Sequence, residues 1–388
     1  MNARERFYRT MHFQPIDRVP DEEFGYWDET LRTWHDQGLP REIDDNGKAD
    51  YYFGFDFKRG VPTHQGLIPG FESKVLAEDD LHVTYQGGDG VIYMQNKNRF
   101  GTIPKYIHFP IQTRADWEEF KCRLDPKSPE RYTWDYDKIA ADLNAADVPV
   151  VLGTGSLFGW IRNWVGFENL AMATIDDPAW VEEMVDHLAD FIIAAFEGWL
   201  GKVKIDVAHF WEDICFNNGP MVSPRFFRDV VTPRYKRITD RLKEHGCDVC
   251  YVDCDGNIMR LVPHWLAGGV NVMFPIEIRG GSDPVKMREL YGHEVLLAGG
   301  VDKMALIAGK EAILADLRRL DPLVRDGGTI PHVDHRVPPD VTYENYLYYL
   351  REKRAWLGIP EPVPYEQRLA ELAKSDPRRA EWLRPKKG

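Results

Sequence analysis

The sequence predicts an α/β protein of the TIM-type (β/α)8 class, and three observations carry that prediction. From about residue 148 onward, strand-like and helix-like segments alternate in regular order. The 388 residues, 43% of them hydrophobic, can bury one large core. A doubly wound sheet is the rival, but no G-x-G-x-x-G or G-x4-G-K-[ST] loop follows a predicted strand.

Six strand–helix pairs form the regular part: 148–155 with 177–202, 206–213 with 223–246, 247–256 with 258–269, 270–277 with 283–292, 294–302 with 310–328, and 329–334 with 342–358. In the second pair, Ser223 is the expected N-cap, Pro224 the first helical residue and Gly246 the stop.

The rest of the chain is expected to complete and decorate this barrel. Segments 18–27 and 51–57 are predicted to supply the two missing strands, and 80–115 a β-hairpin excursion at the barrel mouth. We therefore predict one barrel domain over residues 1–360, followed by a helical, basic tail over 361–388.

Charge and hydropathy limit the function classes. The formal net charge is −13, which argues against binding to nucleic acid or to an anionic membrane, because either surface needs a basic stripe. No apolar run approaches the length of a bilayer span, and the N-terminus looks like a charged helix rather than a signal peptide. The expectation is a cytoplasmic protein.

Five cysteines are present: Cys122, Cys215, Cys247, Cys250 and Cys254. The C-x2-C-x3-C spacing resembles a metal site, but a strand would put Cys250 and Cys254 on the face opposite Cys247, so packing is the favoured role. On the same alternation, Asp253 and Asp255 share the other face, which we expect to line the barrel mouth.

Acids and histidines stand at the ends of successive predicted strands, where a barrel of this type holds its active site. They are His209, Glu212, Asp213, Asp253, Asp255, Glu277, Asp302, His332, Asp334 and His335. Together such groups share protons, bind a divalent metal or pair with substrate cations. The alternatives are core histidines for His209 and His332 and a helix cap for Asp302. The aromatic residues Phe158 and Trp160 are either helix core or a substrate platform.

Several stretches, in this order and spacing, resemble the uroporphyrinogen decarboxylase superfamily, which includes the decarboxylase and the corrinoid or coenzyme M methyltransferases. They are "RERFYRTMHFQPIDRVP", "GSLFGWIRNWVGFENL", "WEDICFNNGPMVSPRFFRDVVTPRYKRI", "DCDGNIMRLVPHWLAGGVNVMFPIE", "LLAGGVDKMAL" and "HVDHRVPPDVTYENY". The resemblance covers nearly the whole chain and implies a (β/α)8 barrel.

The chain departs from the decarboxylases where they carry an arginine-rich R-Q-A-G-R loop that grips substrate carboxylates. Here the stretch reads "PDEEFGYWDETLRTW", and Glu22, Glu23 and Asp28 would repel a polycarboxylate. We therefore expect no useful decarboxylation of uroporphyrinogen. The resemblance places the family's catalytic aspartate on Asp56, with spacing off by about one residue, and its late histidine on His335.

The methyltransferases resemble one another in an H-x-C zinc motif and a later cysteine, which here become Asp253-x-Asp255 and His335. Such an oxygen- and nitrogen-rich set can hold zinc or a harder ion such as manganese. The expected metal ligands are Glu212, Asp253, Asp255 and His335; the alternative is that they pair with substrate or with Arg162 and Arg336. The expected substrate-binding residues are Tyr26, Trp27, Phe158, Trp160, His209 and Glu277.

The leading hypothesis is a methyltransferase or demethylase component that acts on a small molecule together with a corrinoid protein. In the first alternative, a decarboxylase, Asp56 stabilises a developing cation while His335 or Asp253 handles protons. The second alternative is a non-catalytic barrel that binds a small ligand. A homodimer is compatible with each hypothesis.

Overall fold

The computed structural model describes residues 1–97 and 103–384. The chain divides into two compact units. The first unit comprises Met1–Phe57, Pro275–Arg279 and Asp283–Gly388, and the second comprises Lys58–Phe274 and Gly280–Ser282. The domain boundary near residue 360 stays a prediction.

The strands of the described residues are β1 (Arg59–Val61), β2 (Lys74–Glu78), β3 (His82–Gln86), β4 (Ile92–Asn96), β5 (Lys105–His108), β6 (Val150–Gly153), β7 (Val207–Trp211), β8 (Cys215–Phe216), β9 (Gly219–Pro220), β10 (Cys250–Asp253), β11 (Val272–Phe274), β12 (Leu296–Ala298) and β13 (Thr329–Ile330).

The α-helices of the described residues are α1 (Ala3–Met11), α2 (Asp28–His35), α3 (Asn46–Phe53), α4 (Arg114–Phe120), α5 (Tyr136–Asn144), α6 (Phe158–Val165), α7 (Phe167–Asp176), α8 (Pro178–Glu197), α9 (Pro224–Phe226), α10 (Thr232–Lys243), α11 (Val262–Ala267), α12 (Pro284–Tyr291), α13 (Lys303–Ala308), α14 (Lys310–Asp326), α15 (Tyr343–Leu357), α16 (Tyr365–Ser375) and α17 (Pro377–Leu383).

The second unit is built on parallel strands in the order β1, β6, β7, β10, β11. Their register places Tyr251 opposite His209, and Asp253 opposite both Trp211 and Phe274. Apolar side chains of these strands and of α8 form the buried core, as expected for parallel strands covered by helices. The antiparallel sheet β2-β3-β4-β5 is the predicted excursion, and it begins at Lys74, earlier than the expected residue 80.

In the first unit, β12 and β13 pair in parallel, with Leu297 opposite Thr329. Each of the six strand–helix pairs predicted from residue 148 onward contains a strand followed by helix. The predicted tail contains α16 and α17, while residues 385–388 lie outside the described part of the chain.

The two early strand predictions are wrong. Segment 18–27 forms only an isolated parallel bridge, between Tyr26 and Val337. Segment 51–57 begins inside α3, because Asp45 caps that helix by accepting from the Lys48 N–H at 2.9 Å and Gly54, with φ of 82°, ends it. The strand follows only at β1.

One local detail near α10 also differs from expectation. Pro224 does stand at the start of α9, but the Ser223 side chain makes no capping hydrogen bond. The segment Phe227–Val231 between α9 and α10 is π-helical. Across the described residues, every helix is too short or too polar to cross a bilayer.

Candidate active site at the strand ends

Three rings from neighbouring strands of the second unit form one group, called the aromatic cluster: His209 of β7, Tyr251 of β10 and Phe274 of β11. The His209 ring lies edge-on to both partners, with centroid distances of 5.7 Å to each. The Tyr251 and Phe274 centroids are 6.1 Å apart. The parallel register of the three strands brings them together.

His209 is held as a neutral imidazole within this cluster. Burial, assisted by the positive charge of Lys58, lowers the pKa of His209 to about 4. Its Nε2 atom is buried and has no hydrogen-bond partner among the described residues. An unsatisfied buried polar atom costs about 1–3 kcal/mol, so a substrate group that bonds to Nε2 is favoured. The predicted binding role of His209 fits this geometry.

The opening half of the "CYVDCDGN" stretch follows the predicted alternation. Contact with Cys247 and burial raise the pKa of the Cys250 thiol. Cys254 is fully buried and its sulfur accepts from the Ile214 N–H at 3.3 Å. Asp253 and Asp255 are both partly exposed. The thiols are therefore packed, and the two carboxylates are the accessible acids of this stretch.

Glu212 is fully buried and does not face an open site. Its carboxylate accepts from the Leu157 N–H at 2.8 Å, from the Gly159 N–H at 2.7 Å and from the Tyr235 hydroxyl. Burial raises its pKa, against the pull of these donors. A Cβ on Gly159 would lie 2.2 Å from the Glu212 carbonyl oxygen, so only glycine allows this approach.

The metal-ligand role predicted for Glu212 does not fit this geometry, because both carboxylate oxygens already hold the turn that leads into α6. No group of three or more His, Cys, Asp or Glu side chains within 1–97 and 103–384 is arranged to hold a metal ion. We derive no chemical step through a metal.

The two aromatic residues predicted on α6 differ in position. Phe158 is buried and its ring lies 6.4 Å from that of Phe226, which is typical of helix core. Trp160 is partly exposed and packs at 5.9 Å from Trp164. Of the two, only Trp160 has surface to offer a substrate.

Sequence reasoning missed the arrangement around the end of β7. Asp213 has a positive φ of 42°, uncommon for a residue other than glycine. Arg162 donates to its carbonyl oxygen and lies 3.5 Å from its Oδ2 atom. The same guanidinium sits over the Trp211 ring at 5.4 Å. The acidic ending "HFWED" was the available signal, but the arginine partner depends on the fold.

In the first unit, the acidic stretch after Pro20 is internal. Lys353 Nζ lies 2.6 Å from Glu23 Oε1 and 3.1 Å from Asp21 Oδ1, and Arg354 Nε lies 2.8 Å from Asp21 Oδ2. These four side chains are almost fully buried. The expectation that Glu23 lines a substrate pocket therefore requires correction, because its charge is already neutralised within the unit.

The neighbouring aromatic residues also divide into core and accessible positions. Tyr26 is fully buried, with its hydroxyl 2.6 Å from that of Tyr346, so its predicted substrate contact does not fit. Trp27 is partly exposed and stacks on His335 at 5.4 Å. The guanidinium of Arg336 lies over Trp27 at 5.5 Å. Trp27 and His335 thus form an accessible aromatic–imidazole pair.

A second charged group of the first unit surrounds Glu277, which forms an ion pair with Lys303 at 2.6 Å. Asp334 accepts from the N–H groups of Ile278 at 2.8 Å and Lys303 at 3.0 Å. Burial raises the pKa of Asp334 to about 6, although the charge of Lys303 opposes this. Any substrate contact of Glu277 must compete with Lys303.

Asp56 and Asp302 have defined structural partners. Arg18 grips the Asp56 carboxylate with two hydrogen bonds of 2.8 and 2.9 Å, and the Asp21 N–H adds a third at 3.0 Å. Asp302 caps α13 by accepting from the Met304 N–H at 2.8 Å. The cap alternative for Asp302 is therefore correct, and Asp56 is committed to an internal ion pair.

Comparison with known proteins places the chain in a family. The chain is 24% identical over 257 residues to a uroporphyrinogen decarboxylase from Geobacter sulfurreducens, covering 63% of this chain and 71% of that protein. It is 22% identical over 367 residues to a uroporphyrinogen decarboxylase from Magnetococcus marinus, covering 88% and 94%.

The fold is similar to that of a methyltransferase from Methanosarcina mazei, with a TM-score of 0.58 and 14% identity over 92% of this chain and 98% of that one. This likeness confirms the predicted α/β fold of TIM type. The sequence model of the uroporphyrinogen decarboxylase (URO-D) family matches residues 95–356, more than half of the chain. The protein therefore belongs to the URO-D family.

Proposed function

We propose that this URO-D family protein is an enzyme that transfers a methyl group between a small molecule and a corrinoid protein. The observation that carries the proposal is the aromatic cluster, in which a neutral His209 offers a buried Nε2 beside two aromatic rings. This surface suits a small substrate that is apolar in part and carries one group able to form a hydrogen bond.

The residues take separate roles in this proposal. The rings of Tyr251 and Phe274 pack against the apolar part of the substrate, and His209 forms a hydrogen bond to its heteroatom. Asp253 lies two residues beyond Tyr251 on β10 and delivers or receives the proton that the heteroatom exchanges when its bond to the methyl carbon breaks or forms. The partner protein's corrinoid supplies the methyl acceptor or donor.

The acidic stretch supports a substrate other than a tetrapyrrole polycarboxylate. Residues 21–28 contain no arginine, and the cations nearest Asp21 and Glu23, Lys353 and Arg354, are used in buried ion pairs. Guanidinium groups for several carboxylates are therefore missing from this stretch.

A second candidate is a decarboxylase that acts on a different, smaller acid. The curated relatives named above favour it, and so does Lys58, whose ammonium group lies over the Tyr251 ring at 5.5 Å. In this candidate Lys58 and His209 are the relevant groups, because Asp56 is already gripped by Arg18.

A paired assay tests these candidates. The purified protein is incubated with free cob(I)alamin and a panel of methyl ethers, methylamines and methyl thioethers, and methyl transfer is followed by absorbance. We expect transfer from one class, reduced at least tenfold in His209→Phe and Asp253→Asn but unchanged in Asp190→Asn, an exposed acid of α8.

Release of carbon dioxide from small carboxylic acids, without methyl transfer to cobalamin, would replace the methyltransferase proposal with the decarboxylase. Ligand binding without either turnover would instead identify a binding protein.

A further inference from the structure

Lys58 is a charged residue of the second unit to which neither the sequence motifs nor the comparisons assign a role. It directly precedes β1, and its ammonium group lies 5.5 Å from the centroid of the Tyr251 ring. Tyr251 is itself buried. The lysine side chain is partly buried, so its charge is placed against the aromatic cluster rather than in bulk solvent.

The charge of Lys58 reaches His209 as well. It is the electrostatic influence that, after burial, lowers the pKa of His209. Two nitrogen groups therefore face the Tyr251 ring: a lysine ammonium, which is a donor only, and a neutral imidazole, whose Nε2 has no hydrogen-bond partner in the described part of the chain.

These two groups are complementary to one oxyanion. A carboxylate accepts at both oxygens, so one oxygen can accept from Lys58 Nζ while the other accepts from a protonated His209 Nε2. An apolar body attached to the carboxylate would lie against Tyr251 and Phe274. Such a ligand supplies a partner for the buried Nε2 and a counter-charge for the lysine.

We propose that Lys58 and His209 form an oxyanion-binding subsite that recognises the carboxylate of an aromatic or otherwise partly apolar substrate. This inference rests on the proposed function for its substrate, and it deepens it by naming the group that the substrate carries. It also locates the relevant residue of "FGFDFKRGVP" at Lys58, since the carboxylate of Asp56 is engaged by Arg18.

The test is direct binding, measured by isothermal titration calorimetry on the purified full chain. The probes are benzoate, its neutral isostere benzamide, and inorganic phosphate as a competitor. We expect wild type to bind benzoate more tightly than benzamide. Lys58→Met, which keeps the length of the side chain without its charge, should weaken benzoate binding at least tenfold and leave benzamide unchanged.

Lys243→Met, at an exposed lysine of α10, is the matched control and should bind both probes as wild type does. Lys58→Arg keeps the charge and should retain benzoate binding, which separates charge loss from misfolding. In NMR spectra of wild type, benzoate should shift the His209 Cε1–H resonance.

Equal affinity of wild type for benzoate and benzamide overturns the subsite, as does benzoate binding by Lys58→Met within twofold of wild type. Tighter binding of phosphate than of benzoate overturns the carboxylate assignment. Because no turnover is measured, the failure of methyl transfer leaves these results intact. Conversely, methyl transfer without a preference for benzoate rejects only the subsite.

Discussion

Lys353 allows a sharp test of whether the acidic stretch of the first unit is structural. Its ammonium group is fully buried, lies 2.6 Å from Glu23 Oε1 and 3.1 Å from Asp21 Oδ1, and donates to the Glu22 carbonyl oxygen at 3.1 Å. Burial opposes its charge, but the carboxylates of Glu23 and Asp21 outweigh this and raise the pKa of Lys353.

Replacing Lys353 by methionine keeps most of its volume but leaves buried carboxylate charge without its partner. Glu23 would retain only the Tyr349 hydroxyl at 2.7 Å and the Val333 N–H at 3.2 Å. Breaking a buried ion pair in this way costs about 3–5 kcal/mol. We expect a loss of that size in the free energy of unfolding, measured by guanidinium denaturation followed by circular dichroism.

The matched control is Lys310→Met, because the Lys310–Glu344 ion pair has a similar distance, 2.7 Å, but lies at the surface. It should change the free energy of unfolding by about 0–1 kcal/mol. The double variant Lys353→Met with Glu23→Gln should recover part of the loss, since one unpaired charge is removed. A Lys353→Met protein as stable as the control would refute the buried network.

Three further predictions follow from other residues. Glu212→Gln should lower the free energy of unfolding by about 1–3 kcal/mol, because one buried donor loses its acceptor, and leave metal content by elemental analysis equal to that of wild type; a loss of bound metal would restore Glu212 as a ligand. Burial and the charges of Glu23, Asp45 and Glu22 raise the pKa of Asp50 from 3.8 to about 7, so the folded state binds this proton more tightly and stability falls as pH rises from 4 to 7. Asp50→Asn should remove that loss and be more stable than wild type at pH 8 by roughly 2–4 kcal/mol, from about 1.4 kcal/mol per pKa unit, whereas equal stability of the two proteins at pH 5 and pH 8 would contradict it. Purified protein should form no coproporphyrinogen from uroporphyrinogen in a direct product assay, and efficient turnover would show that the acidic stretch does not govern substrate choice.

Much of the fold could be predicted because its signals are local. Alternation of strand and helix patterns from residue 148 onward needs only periodicity and turn residues. The same alternation separated the packed Cys250 and Cys254 from the accessible Asp253 and Asp255, since successive side chains of a strand face opposite sides. The helix cap at Asp302 was an open alternative that the structure then supported.

The early strands failed for a physical reason that is also local in part. The run "YYFGF" is apolar enough for a strand, but the Asp45 cap and Gly54 make its first half the end of a helix. Segment 18–27 is extended without a ladder, and its acids are held by ion pairs to α15. Contacts to residues more than 300 positions away leave no mark in a short window.

By itself, the sequence determined the fold class, the family and the set of strand-end residues, because these depend on patterns and motifs along the chain. Only the tertiary structure decided which of those residues are available for chemistry. Glu212, Asp56 and Glu23 carry the same type of carboxylate as Asp253, but each is already bonded by donors from distant segments. His209 and Lys58 gained interest in the opposite way, since burial and the approach of a remote ring set their charge states and partners. Availability depends on three-dimensional neighbours, and the sequence does not state who those neighbours are.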